Sequence, residues 1–276
     1  MIAWLSLTAL AATPDRSDSV LQEADAPVAV RLSADLGATG QLSHRLQFGN
    51  DGTDVRVPRD LGQDVLYPFV RLQVDLDLGR KRRHTIGLLY QPLDFGSVVA
   101  PADDLAVGDL TFPAGAGLQF RYQFPFYRLT WLYDLAASPE REAALGVAFQ
   151  VRNVSILYAS LDGSRALASR DVGPVPLLAA RFRGPVGERL WWAGEVTGFY
   201  APISVLNGSD LPIVGAVVDA SAKIGLPTRG PDLYAALRFI GGGSTGTSDQ
   251  PDPFAGDGFL RNWLYLGVVS LGVELR

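Results

Sequence analysis

The 276-residue chain contains no cysteine. Disulfides, thiol nucleophiles and cysteine-ligated metals are therefore excluded. Histidine is nearly as scarce: His44 and His84 are the two present, too few for a histidine-rich metal centre. No apolar run reaches the ~20 residues of a membrane-spanning helix. Basic residues do not dominate, and the net charge of −5 argues against broad nucleic-acid binding. Helical periodicity is rare, in keeping with 30 glycines and 18 prolines.

The chain opens on MIAWLSLTALAA, an apolar run closing on Ala9-Leu10-Ala11. A small-x-small ending of this kind predicts a removable secretory leader over residues 1–12. Residues 13–27, TPDRSDSVLQEADAP, are polar and read as a flexible segment. Residues 28–276 read as one all-β domain.

What that domain has in abundance is period-2 alternation. VAVRLSADLG sets Val28, Val30, Leu32 and Leu36 against Arg31, Ser33 and Asp35. FVRLQVDLDLG sets Val70, Leu72, Val74, Leu76 and Leu78 against Arg71, Gln73, Asp75 and Asp77. The same pattern recurs in LQFRYQF, YRLTWLYDL, RLWWAGEVTGFY, DLYAALRFI and WLYLGVVSLGVEL.

In FQVRNVSILY the alternation slips. Leu145, Val147, Phe149 and Val151 are odd; Val154, Ile156 and Tyr158 are even. A hairpin turning at Arg152-Asn153 makes Val151 and Val154 opposed partners on one face and removes the slip. A β-bulge is the competing explanation. QFPFYR suggests a second two-residue turn at Pro125-Phe126. With both turns the strand count is about twelve, an even number. Connections 79–83, 125–126, 152–153, 184–188 and 227–230 are then short. Those at 38–64, 92–115, 136–143, 162–174, 201–212 and 242–260 are mostly long.

Short turns at one end and long loops at the other, with strands of about ten residues, predict a single antiparallel transmembrane β-barrel. In it the apolar face meets hydrocarbon and the polar face lines the interior. Lumen candidates are Arg31, Arg71, Asp75, Arg121, Arg128, Asp134, Arg181, Glu195, Asp219, Lys223 and Arg238. Aromatics at the strand ends predict two interfacial belts. Phe124, Tyr127 and Phe182 fall at the short-turn end, and Tyr90, Tyr133, Tyr158, Tyr200, Trp263 and Tyr265 toward the long loops. On these residues the chain resembles the Gram-negative outer-membrane β-barrel class. GTDVRVPRDLG (52–62) is similar to a G-T-x(n)-D-L-G segment in the first outer loop of some poorly characterised barrels of that class. The resemblance implies residence in the bacterial outer membrane. It also implies outer-membrane lipid, lipopolysaccharide and the barrel-assembly machinery as partners, with short turns periplasmic and long loops extracellular. One departure is the ending Leu275-Arg276, where such barrels carry an aromatic residue.

No catalytic constellation, metal set or cofactor motif emerges. Ser43 and His44 are adjacent, which seldom lets a nucleophile and base face each other. Asp103, Asp104 and Asp109, and Asp249, Asp252 and Asp257, lack calcium-loop spacing and read as solvated loop acids. Arg80-Lys81-Arg82-Arg83 falls in a short turn where it can meet anionic headgroups. GGGSTGTSDQPDPFAGDG (241–258) reads as a flexible outer loop. The expected role is structural or porin-like passive transport of small solutes. An outer-leaflet lipid hydrolase and a secreted soluble ligand-binding barrel are the alternatives.

Overall fold

The computed structural model describes residues 28–136, 138, 140–202, 213–247 and 257–276. The expected leader and the polar segment after it lie outside the described residues, as do Asp249 and Asp252. The strands, in chain order, are β1 (Val28–Phe48), β2 (Val55–Arg56), β3 (Tyr67–Leu78), β4 (His84–Gln91), β5 (Asp94–Val99), β6 (Leu105–Val107), β7 (Leu110–Phe112) and β8 (Leu118–Gln123). They continue with β9 (Phe126–Asp134), β10 (Glu142–Ser160), β11 (Ala166–Val186), β12 (Leu190–Pro202), β13 (Val214–Leu226), β14 (Asp232–Thr247) and β15 (Phe259–Leu275). A single helical turn spans Val57–Asp60.

Ten of these strands close a ring, β1-β3-β4-β9-β10-β11-β12-β13-β14-β15 and back to β1, each pair antiparallel. The all-β antiparallel barrel expected from the alternation is present. Its ring has ten strands rather than twelve because both expected hairpins are absent. β10 runs unbroken through Arg152-Asn153, pairing with β11 from Glu142↔Arg183 to Ala159↔Ala166. Asn153 has no positive φ, so the left-handed turn residue a tight hairpin needs is missing. Across Pro125, β8 and β9 keep one register against β10, with Gln123↔Ser155 on one side and Phe126↔Arg152 on the other. β4 and β5 likewise continue each other against β9 and β8. Pro92 and Pro125 lack the N–H a ladder needs, so the strands pause there without turning.

Both described ends of the ring chain, Val28 and Leu275, lie at one end with the connections 79–83, 135–141, 187–189 and 227–231. This is the turn end. The connections 49–66, 100–117 and 161–165 lie at the opposite, loop end. Residues 136–143, expected among the long loops, are therefore at the turn end. Most of 162–174 belongs to β11.

The parity slip in β10 has a different cause from a turn. The strand keeps one face inward throughout: Ala144, Ala148 and Gln150, then Val154, Ile156 and Tyr158, are all buried. What changes is which face is apolar. Toward the turn end Leu145, Val147 and Phe149 point outward and are exposed. Toward the loop end the apolar residues point in. β15 repeats the change, with Val269, Leu271 and Val273 outward and Leu264, Leu266 and Val268 inward.

β1 reaches the same result by another route. Its register with β15 shifts between Gln41 and Ser43, leaving Leu42 as a bulge, 67% exposed. The extra residue reverses the faces, so even-numbered Leu32 and Leu36 point out while even-numbered Leu46 and Phe48 are buried. Either the sequence inverts on a straight strand or the strand inverts under a regular sequence.

Two chain segments fold over the loop end. Val55, Val57 and Leu61 from the first, and Leu105, Val107 and Phe112 from the β6–β7 hairpin, join one apolar cluster with Phe69, Phe95, Phe120, Phe126 and Tyr158. The GTDVRVPRDLG stretch is thus part of this cap. Thr53 and Ala106 tie the two segments by reciprocal hydrogen bonds of 3.0 Å. The free edge of β5 is covered by the chain leading into β3 and by that strand's first residue: Gln63 Nε2 donates to Phe95 O at 3.0 Å and Tyr67 Oη to Gly96 O at 3.2 Å.

Candidate functional site in the barrel interior

Below the apolar cap the interior is ionic, and alternation on eight strands puts the charges there. In the central layer Asp219 on β13 accepts from Arg128 on β9 at 2.9 Å and from Arg238 on β14. Arg128 also donates to Gln150 on β10 at 3.0 and 2.7 Å. Glu195 on β12 holds Arg71 of β3 at 3.2 Å and Lys223 of β13 at 3.1 Å, with Arg238 at 3.7 Å. Arg71 to Glu195 and Arg128 to Asp219 join strands on opposite walls, so these pairs bridge the lumen rather than line it.

A second layer lies nearer the turn end. Arg181 on β11 donates to Asp75 on β3 at 2.7 Å and to Glu142 on β10 at 2.6 Å. Arg31 on β1 faces the same two acids at 3.3 and 3.6 Å, and Asp77 at 3.5 Å. Thr85 donates to Asp77 at 2.6 Å, and Tyr234 donates to Asp35 at 3.0 Å. The six interior cations of the two layers, Arg31, Arg71, Arg128, Arg181, Lys223 and Arg238, are matched by Asp35, Asp75, Asp77, Glu142, Glu195 and Asp219.

At the turn end an aromatic layer fills the mouth. Trp191 and Tyr234 are buried, and a Cβ on Gly225 would fall 2.1 Å from the Trp191 ring. One on Gly272 would fall 2.2 Å from Tyr234. These glycines are the cross-strand partners of the rings and let them lie flat against the wall. Arg183 lies over Trp191 at 3.6 Å and pairs with Glu274 at 2.9 Å and Asp232 at 3.4 Å. Between the ionic layers remains a cavity of ≈ 40 Å³. That admits about three waters.

Nine lumen candidates fall in these layers: Arg31, Arg71, Asp75, Arg128, Arg181, Glu195, Asp219, Lys223 and Arg238. Arg121 does not. It lies on the outer wall of β8 paired with Asp94, because β8 belongs to the part of the barrel whose inward face is apolar. Asp134 closes the turn after β9, accepting Ala136 N and Ala143 N at 3.0 Å each. Asp35 and Asp77 share the alternation of Arg31 and Asp75 and could have been found by extending it. Glu142 fell in a stretch read as loop, and Arg183, Asp232 and Glu274 sit at strand ends where the period gives least warning.

The aromatic belts are partly redistributed. Tyr90 and Tyr127 stack at 5.0 Å on the outer wall, so Tyr127 belongs toward the loop end, with Tyr200, Trp263 and Tyr265. Tyr133 and Phe182 are outward at the turn end, where His84 stacks on Trp131 at 6.0 Å. Phe124 packs against the apolar cluster, and Tyr158 is fully buried inside it. Both left the surface for the reason that moved Arg121 onto it.

The structure separates the residues considered for catalysis. Ser43 is exposed on the outer wall while His44 is buried inside, edge-on to Tyr122 at 4.5 Å. Asp104 accepts the amide of Ala114 at 2.8 Å, and Asp257 accepts those of Asn50 at 2.8 Å and Phe259 at 3.0 Å. The two amides hold the Asp257 carboxyl below the usual carboxylate range. Among the described residues no cluster of His, Asp and Glu is arranged to hold a metal.

No protein-family model matches the chain, and no curated protein sequence does. Solved structures do. The outer-membrane protease OmpT of Escherichia coli aligns over 89% of this chain and 96% of its own, with a TM-score of 0.52 and 12% identity. The attachment invasion locus protein Ail of Yersinia pestis, in complex with a heparin analogue, aligns over 89% and 99%, with a TM-score of 0.37 and 7% identity. A mutant of the TodX monoaromatic hydrocarbon channel aligns over 93% and 94%, with a TM-score of 0.28 and 9% identity. The first of these carries the argument: the chain has the fold of the outer-membrane β-barrel proteins.

Proposed function

We propose that the protein is an integral outer-membrane barrel with a closed interior, whose role is structural: it anchors a rigid outer platform. Placement in a membrane is supported by the outward apolar band of the turn-end half. Leu36, Leu178 and Leu271 are 66%, 68% and 69% exposed, on a wall bounded by aromatic residues. A water-washed surface of that extent is an aggregation hazard, whereas hydrocarbon solvates it. The direction of burial separates this reading from a secreted soluble barrel, which would keep those leucines inside.

The observation that carries the closed-interior reading is the set of ion pairs spanning the lumen, Arg71–Glu195 and Arg128–Asp219. Rings of unpaired charge select ions; paired, cross-braced charges exclude a path. The expected strand length also changes its meaning. β1 and β11 have 21 residues each, where roughly 9–11 cross the hydrocarbon. The excess forms the half with an apolar inside, a soluble-style core standing above the hydrocarbon layer.

The test is conductance of the purified protein in a planar bilayer. Silence at 100 mV is expected; regular current steps would refute the closed interior. Outer-membrane fractionation and heat-modifiable gel migration test the placement separately.

A further inference from the structure

The outer wall carries an arginine arrangement that the closed-barrel reading leaves unexplained. β2 clips onto the loop end of β1 with the pairs Leu46↔Val55 and Arg45↔Arg56. Leu46 and Val55 are buried inside, so Arg45 and Arg56 stand side by side outside. Like charges directly opposed on a sheet are unfavourable. Arg261 joins them from β15, two residues from outward Trp263, which is the partner of Arg45. One carboxylate serves the group: Asp54 accepts from Arg45 Nε at 3.3 Å and from Arg261 Nη1 at 3.2 Å. Among the described residues Arg56 has no ion-pair partner. The nearby Asp60 spends one oxygen on the Arg56 backbone amide at 2.8 Å and faces Arg59 at 3.9 Å with the other. The three outward guanidiniums thus have one shared carboxylate among them, Asp54.

Its height on the wall is informative. Immediately below lie Trp263 and Tyr265, stacked at 6.4 Å, and below them Val269 and Leu271 on the same face of β15. Aromatic side chains of membrane barrels sit at headgroup level. The three guanidiniums then occupy the phosphate layer of the outer leaflet, above a wall shaped for acyl chains. Guanidinium and phosphate pair through two parallel hydrogen bonds, and arginine suits this better than lysine.

Resting on the outer-membrane placement above, we infer that Arg45, Arg56 and Arg261 form a docking site for the phosphate groups of lipid A, the outer-leaflet glycolipid, with its acyl chains against Trp263, Tyr265 and Leu271. The lipid neutralises the opposed arginines, which explains why two of them can share a cross-strand pair.

The experiment measures binding of bisphosphorylated lipid A to the purified full chain in detergent micelles by native mass spectrometry. One lipid per protein is expected at this site. Lipid A stripped of both phosphates should bind about tenfold more weakly or worse. The Arg45→Gln/Arg56→Gln/Arg261→Gln variant should lose binding to the same degree, and Arg80→Gln/Arg82→Gln at the turn end should not. Should the triple variant misfold, Arg56→Gln alone removes a side chain without an ion pair and should still weaken binding about tenfold. Wild-type binding by Arg56→Gln, equal binding of the dephosphorylated lipid, or equal occupancy by inorganic phosphate would each overturn the proposal. Loss of heat-modifiable migration by the wild-type protein would instead strike the membrane placement, so the two failures are distinguishable.

Discussion

At the scale of single residues the interior depends on shared carboxylates. Asp219 serves both Arg128 and Arg238, and all three are almost fully buried. Removing one partner of a buried pair leaves uncompensated charge, at a penalty of about 3–5 kcal/mol. Asp219→Asn is expected to destabilise the barrel by that amount in urea unfolding from phospholipid vesicles. Arg121→Gln, which breaks an exposed pair with Asp94, should change stability by about 0–1 kcal/mol. Equal effects of the two variants would mean the lumen is hydrated enough to screen its charges. Asp257 offers a pH test. Its folded pKa is depressed, so its contribution is present above the unfolded value of about 3.9 and is lost as pH falls through the folded one. The amide resonance of Asn50, its partner, should titrate with a midpoint below that ordinary value.

At the scale of elements β10 is the clearest case of how one strand serves two solvents. Val147 and Ser155 point outward on the same face, but Val147 lies in the apolar band while Ser155 neighbours Gln123 and Arg170. Arginine at Val147 should destabilise by about 2–4 kcal/mol, and arginine at Ser155 by no more than about 1 kcal/mol. Vesicle unfolding of Val147→Arg and Ser155→Arg checks both, and similar losses would place the membrane boundary elsewhere. The slip at Arg152-Asn153 was visible in the sequence, but its meaning was not. A parity change reports that the apolar face has switched, and a hairpin, a bulge or a change of surroundings all produce it. The bulge device is real in this barrel, but in β1 at Leu42, where Leu36, Leu46 and Phe48 keep one parity and give no warning. Assuming one solvent along the whole strand led Arg121 to be expected inside, and Phe124 and Tyr158 outside.

At the scale of the whole molecule the outer half should stand clear of the hydrocarbon layer. A 21-residue strand tilted as in a barrel rises roughly 50 Å, about twice the ~25 Å apolar band. Spin labels at Val147 and Leu271 should report acyl chains, and labels at Asn153 and Arg170 water; lipid contact at the latter pair would sink the two-solvent description. The amino-acid sequence by itself determined the all-β class, the antiparallel alternation, the even closure and most of the interior charges. Each of these is a local pattern of period 2, readable wherever a strand is regular. The tertiary structure alone decided the ten-strand count, the cap over the loop end, and which arginine meets which acid. Those depend on what lies across a lumen or beyond a membrane surface, and neither partner is near in the chain.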